Sequence, residues 1–213
     1  NILITEGVSG AIKNILDSIV INKKIEIIAP RPSFALYNIY SKIYNLKVKT
    51  FSYDNYFNLN INNIFKLVTK NTSVVFLTYP NIPVEGDIKL SFIKKLAKFL
   101  DKKGILLAID EVYYPFNKSS AITFIKKYSN LVVMRSFSKA YGLAGARIGY
   151  MVSNKNKIKI FSNTKGGYET NMLSAIAINF ALDNYVLTKK YTKDVANGFL
   201  FLKKKLKDLK INY

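Results

Sequence analysis

The chain has 213 residues, 49% hydrophobic and 22% charged, with 33 Lys and Arg against 13 Asp and Glu, and it contains neither cysteine nor histidine. That size and apolar content suit one well-buried α/β domain, or a domain and a fraction. The lack of cysteine excludes disulfides and thiolate metal sites and fits a reducing, cytoplasmic setting, and no run of about 18 apolar residues is present to span a membrane.

Ile2–Thr5 reads as a strand that enters the turn Glu6-Gly7-Val8-Ser9-Gly10 and then an amphipathic run, Ile12, Ile15, Leu16, Ile19 and Val20. A helix start of this kind has free N–H groups that can hold a phosphate, or it is simply a helix capped by Ser9. No basic stretch followed by an apolar core opens the sequence, so no export signal is expected. Ile25–Ile28 is a buried-strand candidate ending at Ala29-Pro30-Arg31-Pro32-Ser33-Phe34, after which apolar residues return at helical spacing. Phe34 sits where open α/β sheets bind ligands, although a core phenylalanine fits equally well. Val48–Tyr53 is the next strand, followed by an Asn-rich connection and a short helix, Ile61–Val68.

Ser73–Tyr79 is almost wholly apolar, as a strand in a parallel sheet covered on both faces must be. It leads into Pro80-Asn81-Ile82-Pro83-Val84-Glu85-Gly86-Asp87, a helix Leu90–Phe99 and the strand Gly104–Ile109, which delivers Asp110-Glu111-Val112-Tyr113. An acidic pair at a strand end can cap a helix, form half of a magnesium site, or face a cationic ligand. One helix and one further strand, Asn130–Met134, are expected before Arg135-Ser136-Phe137-Ser138-Lys139. Beyond it come a strand Ile148–Val152, a helix Lys155–Phe161, a polar loop from Thr164 to Asn171, a helix Met172–Leu182, a long helix Tyr185–Leu209 and the start of a strand at Ile211. Lys203-Lys204-Lys205 reads as the solvated face of that long helix.

The segment from Arg135 to Tyr150 places one lysine, Lys139, among Ser136, Ser138, Gly142, Gly145, Arg147 and Gly149, directly after an apolar strand. A lysine beside a cation and shielded from water gives up its proton more readily and becomes a nucleophile, while neighbouring hydroxyls and a guanidinium suit a phosphate. With no histidine in the chain, a lysine, carboxylate or tyrosine must serve as any general base. A surface lysine in a Gly-rich turn is the plainer alternative.

The segment resembles the cofactor-lysine region of the fold type I pyridoxal-phosphate enzymes of the class I/II aminotransferase superfamily, and is most similar to histidinol-phosphate aminotransferases. The resemblance implies an α/β fold with a doubly wound, mostly parallel sheet. It implies that Lys139 forms a Schiff base with pyridoxal 5'-phosphate, that Ser136, Ser138 and Arg147 bind its phosphate, and that Gly7, Val8 and Ser9 add backbone amides. By the same resemblance Phe34 stacks on the ring, Asp110 faces the ring nitrogen and makes the ring an electron sink, and Tyr113 meets the phenolic oxygen. Lys139, Asp110 and Tyr113 are thus the expected catalytic residues, with no metal.

One departure stands out. The family carries Asn-Pro-Asn-Asn-Pro-Thr-Gly where this chain has Asn81-Ile82-Pro83, so the asparagine that would reach the phenolic oxygen is Ile82, and Asn81 is the remaining candidate. The resemblance also lacks a counterpart for the N-terminal arm and for most of the small domain. Residues 1–188 are therefore expected to form the cofactor-binding large domain and residues 189–213 the start of the small one, as in a partial enzyme.

The implied activity is transamination of an amino acid or amino-acid phosphate, with an amino donor and a 2-oxo acid acceptor, in a full-length homodimer. Decarboxylation of an amino-acid phosphate on the same scaffold is the alternative chemistry. A non-catalytic remnant or basic binding module is the alternative class, because the formal charge is +20. A nucleic-acid partner is not expected, since Arg31, Arg135 and Arg147 are the only arginines and the lysines are scattered.

Overall fold

In a computed structural model, which describes residues 1–21, 26–84 and 88–211, seven strands carry the predicted apolar segments. They are β1 (Ile2–Thr5), β2 (Glu26–Pro30), β3 (Lys47–Phe51), β4 (Thr72–Thr78), β5 (Leu106–Asp110), β6 (Leu131–Ser136) and β7 (Gly149–Val152). They form one sheet in the order β1-β7-β6-β5-β4-β2-β3, with β7 antiparallel to both of its neighbours and the other pairings parallel. Of the strand predicted from Ile25, the part from Glu26 onward is observed, while Ile25 lies outside the described residues, as do Glu85, Gly86 and Asp87.

The helices are α1 (Gly7–Ile21), α2 (Leu36–Ile43), α3 (Ile61–Leu67), α4 (Leu90–Asp101), α5 (Lys155–Ser162), α6 (Met172–Asp183) and α7 (Tyr185–Asp208). Strand residues alternate between two cores. Ile27, Val74, Phe76, Ala108, Val132 and Met134 point towards α1, α2 and α5, packing with Ile12, Ile15, Tyr37 and Phe161. Ile28, Val75, Leu77, Leu107, Ile109 and Val133 point the other way, against Ile64 of α3 and Ile93, Leu96 and Leu100 of α4. This two-sided burial is why the central strands are apolar throughout, and it makes the sheet doubly wound as predicted. Removing one such side chain, as in Leu107→Ala, costs about 2–5 kcal/mol.

One expectation does not hold, and another, the strand beginning at Ile211, falls largely outside the described residues. Between β5 and β6 the chain forms no α-helix, only a 3-10 turn at Ala121–Phe124. Pro115 interrupts the segment, and the Glu111 carboxylate pins the turn by accepting the Ala121 N–H and the Ser120 hydroxyl. Ile211 belongs to no strand, and residues 212–213 lie outside the description. The helix α7 runs without a break through position 188, where Thr188 is buried, while Phe199, Leu200 and Phe201 further along are exposed. Among the described residues no helix is long and apolar enough to cross a membrane.

The antiparallel β7 brings two strand ends together. Thr5 of β1 and Ser136 of β6 both pair with Gly149, so the carboxyl ends of β1 and β6 meet at one edge of the sheet. The loop from residue 137 to residue 148 turns back over that same edge. Ligands of open α/β sheets bind there.

Candidate functional site

A cavity of about 450 Å³ opens at this edge. One end is built for an anion. Gly7 begins α1 with φ of +62°, and the Gly10 N–H is the one that bonds back to the Glu6 carbonyl, so the amides of residues 7 to 9 precede that bond. Arg147, held in a left-handed conformation at φ 52°, donates from Nη1 to the Ala144 carbonyl. Its guanidinium lies so close to Gly7 that a β-carbon there would come 3.2 Å from Nη2. Ser136 donates to the Ser138 hydroxyl at 2.9 Å and accepts the Ser138 N–H at 3.0 Å. Gly7, Val8, Ser9, Ser136, Ser138 and Arg147 all line this part of the cavity.

At the other end Asp110 is buried at the carboxyl end of β5. Its Oδ1 accepts the Val112 N–H at 3.0 Å and its Oδ2 accepts the Tyr37 hydroxyl at 2.8 Å. Burial raises its pKa to about 6, against the two hydrogen bonds, which act downwards. Phe34, Tyr113 and Lys139 form the walls between the two ends, with Lys139 Nζ 5.6 Å from the centre of the Tyr113 ring. The donor set therefore runs from hydroxyls, amides and a guanidinium, past an amine and two aromatic rings, to a carboxylate. It fits a phosphorylated pyridine aldehyde, with Arg147 and its neighbours placed for the phosphate and Asp110 for the ring nitrogen.

The structure thus brings together every predicted site residue except Asn81. That side chain is fully buried behind the wall, where Oδ1 accepts from Ser33 at 2.7 Å and Nδ2 donates to the Pro32 carbonyl at 2.9 Å. Its polar atoms are committed to holding the turn that carries Phe34, and it does not compensate for Ile82, which faces the cavity instead. Lys139 is exposed at the cavity, not shielded from water as the sequence suggested.

Ser33, Thr78 and Tyr37 were not anticipated. Ser33 and Thr78 line the cavity and Tyr37 lies behind Asp110. The available signal was their position, since Thr78 ends a parallel strand and Ser33 and Tyr37 are about one helical turn apart around Phe34. Glu111, which the sequence left as a cap or metal ligand, is consumed by Arg135, whose Nη2 lies 2.9 Å away and whose guanidinium stacks 3.5 Å over Tyr114. Among the described residues no group of three or more acidic side chains is placed to hold a metal ion.

The family description "Aminotransferase class I and II" matches residues 1–210. The chain is 32% identical over 191 residues to the histidinol-phosphate aminotransferase of Thermoanaerobacter sp. (strain X514), covering 89% of this chain and 53% of that protein. It is 29% identical over 210 residues to the enzyme of the same name from Clostridium novyi (strain NT), covering 98% and 58%. The chain therefore spans about half the length of the curated relatives it matches. In fold it is similar to the histidinol-phosphate aminotransferase from Clostridium acetobutylicum, with a TM-score of 0.83 at 24% identity over 96% of this chain and 62% of that one. It is also similar to the L-threonine-O-3-phosphate decarboxylase from Porphyromonas gingivalis, with a TM-score of 0.72 at 27% identity over 85% and 53%.

Proposed function

Because this chain belongs to the aminotransferase class I and II family, we propose that it is the cofactor-binding part of a pyridoxal-5'-phosphate-dependent aminotransferase. The substrates would be an amino acid or amino-acid phosphate as donor and a 2-oxo acid as acceptor. The carrying observation is the convergence of Lys139, Asp110 and Arg147 on one cavity.

Bound pyridoxal phosphate supplies an aldehyde and a protonated ring that draws electrons from the substrate α-carbon. Arg147, the Ser136 and Ser138 hydroxyls and the first-turn amides of α1 bind its phosphate through charge-assisted hydrogen bonds and the helix dipole. Asp110 holds the proton on the ring nitrogen by its negative charge. Phe34 covers the ring and keeps water from one face. Tyr113 donates to the phenolic oxygen, a role it carries without help at position 82, where Ile82 offers no donor. Lys139 Nζ would bind the cofactor aldehyde and would serve as the base that moves the proton at the substrate α-carbon.

Residues 1–188 serve as the large domain and residues 189–213 lead into the small domain of a full-length homodimer, which we place in the cytoplasm by kinship with biosynthetic aminotransferases. Decarboxylation remains the second reading, supported by the 27% identity to the Porphyromonas gingivalis decarboxylase.

The test is direct. After incubation with pyridoxal phosphate and borohydride, peptide mass spectrometry should find the reduced pyridoxyl adduct on Lys139, and Lys139→Ala should abolish both the adduct and the yellow colour. An unmodified Lys139 would overturn the assignment. A colourless protein retained on a polyanion in a salt-dependent way would mark a basic binding module instead.

A further inference from the structure

A line of hydroxyl groups runs from the cavity wall to Asp110. Ser33 Oγ donates to Asn81 Oδ1 at 2.7 Å and lies 3.0 Å from Thr78 Oγ1. Thr78 Oγ1 is 3.5 Å from the Tyr37 hydroxyl, which donates to Asp110 Oδ2 at 2.8 Å. Thr78 and Asp110 are register partners on adjacent strands, and Tyr37 reaches them from α2, where it is buried against Phe76 with ring centres 4.8 Å apart. We propose that Tyr37 is the positioning residue for Asp110, fixing one carboxylate oxygen by its hydrogen bond, and that Tyr37, Thr78 and Ser33 form a hydroxyl chain in which Tyr37 favours the ionised carboxylate and Thr78 the protonated one. The inference rests on the reading of Asp110 as the partner of the cofactor ring nitrogen.

Counting hydrogens supports it. Asn81 Nδ2 donates to the Pro32 carbonyl, so Oδ1 is the end that faces Ser33, and both ends of the chain are acceptors when Asp110 is ionised. Three hydroxyl hydrogens must then serve the four contacts, and one contact is left without a hydrogen. The longest, 3.5 Å between Thr78 and Tyr37, is that contact. A protonated Asp110 would supply the fourth hydrogen, turn the Tyr37 hydroxyl towards Thr78 and close the chain.

The hydrogen bond from Tyr37 thus favours the ionised form, whereas the Thr78 oxygen serves as Tyr37's acceptor only in the protonated form. The other charged groups around Asp110 are Glu111, which opposes its ionisation but is paired with Arg135, and, around the same cavity, Lys139 and Arg147.

The test is NMR titration of Asp110 in the cofactor-free chain carrying carboxyl-labelled aspartate. Tyr37→Phe, which keeps the ring, should raise the Asp110 pKa by about one unit. Thr78→Val should lower it by about half a unit, and Thr78→Ser should leave it where it is. Loss of packing alone would not move the two substitutions in opposite directions. An unchanged titration in Tyr37→Phe, or shifts of the same sign in Tyr37→Phe and Thr78→Val, would overturn the chain whether or not pyridoxal phosphate binds. Should Tyr37→Phe fail to fold, the Thr78 pair decides alone, with equal titrations in Thr78→Val and Thr78→Ser counting against it. Opposite shifts in a protein that binds no pyridoxal phosphate would uphold the chain and remove the assignment of the site.

Discussion

Gly149 and Gly7 meet so closely that a β-carbon on Gly149 would lie 2.7 Å from the Gly7 carbonyl carbon and 2.6 Å from the Arg135 carbonyl oxygen. Both obstacles are backbone, which cannot swing aside as a side chain can. This contact sets the distance between β7 and the start of α1, and so the spacing between Arg147 and the first-turn amides of α1. Gly149→Ala should therefore destabilise the chain by about 1–3 kcal/mol and weaken pyridoxal phosphate binding. Urea denaturation and cofactor titration measure the two effects, and binding should fall more than in Gly145→Ala, where a β-carbon meets nothing within 4 Å.

Arg147 faces the amides of α1 from the exposed rim of the cavity. Arg147→Ala should weaken pyridoxal phosphate by about 10–100-fold, the worth of a charge-assisted hydrogen bond. Pyridoxal, which lacks the phosphate, should bind both proteins alike. Arg147→Lys should recover only part of the loss, because an ammonium does not reproduce the fork of a guanidinium. Fluorescence titration with the two vitamers distinguishes these outcomes.

Arg135 and Glu111 tie the ends of β6 and β5 together beside the site, with Ser120 and the Ala121 N–H completing the carboxylate's partners. Burial pushes the Glu111 pKa up and Arg135 counteracts it. Arg135→Met leaves that carboxylate buried without its cation, and should cost about 3–5 kcal/mol at neutral pH. The double substitution Glu111→Gln with Arg135→Met should cost less than Arg135→Met alone, which thermal or urea unfolding of the three proteins would measure.

Asp110 makes the cofactor-free chain sensitive to pH. Its folded pKa of about 6 lies above the ordinary 3.8, so between those values the folded state binds more protons than the unfolded one. Stability from this group is full below about 4 and falls as pH rises towards about 6, by on the order of 3 kcal/mol in all. Asp110→Asn should flatten that part of the stability profile and leave the cofactor-free protein more stable at pH 7, while abolishing tight pyridoxal phosphate binding. Urea unfolding at a series of pH values reads the slope.

Much of this was legible in the primary structure. Runs such as Ser73–Tyr79 and Asn130–Met134 are apolar at every step because both faces of the sheet are covered, and that demand is local enough to be seen residue by residue. That Asp110, Lys139 and Arg147 meet at one cavity is expected from the family resemblance, and it follows from the fold because Asp110 ends β5, Lys139 follows β6 and Arg147 precedes the antiparallel β7, all at the edge where such sheets bind ligands. Less visible was the stretch after Tyr113, where Glu111 and Pro115 hold a 3-10 turn in place of the expected helix.

By itself, the sequence determined the succession of strands, most of the helices and the family, because these depend on the type and spacing of neighbouring residues. Only the tertiary structure decided that Asn81 turns inward to Ser33 and Pro32, that Ile82 takes its place at the cavity, and that Tyr37 stands behind Asp110 across 73 positions of chain. Those outcomes are settled by which hydrogen-bond donors and acceptors are buried together once the sheet has closed, and residues so far apart along the chain carry no local sign of that meeting.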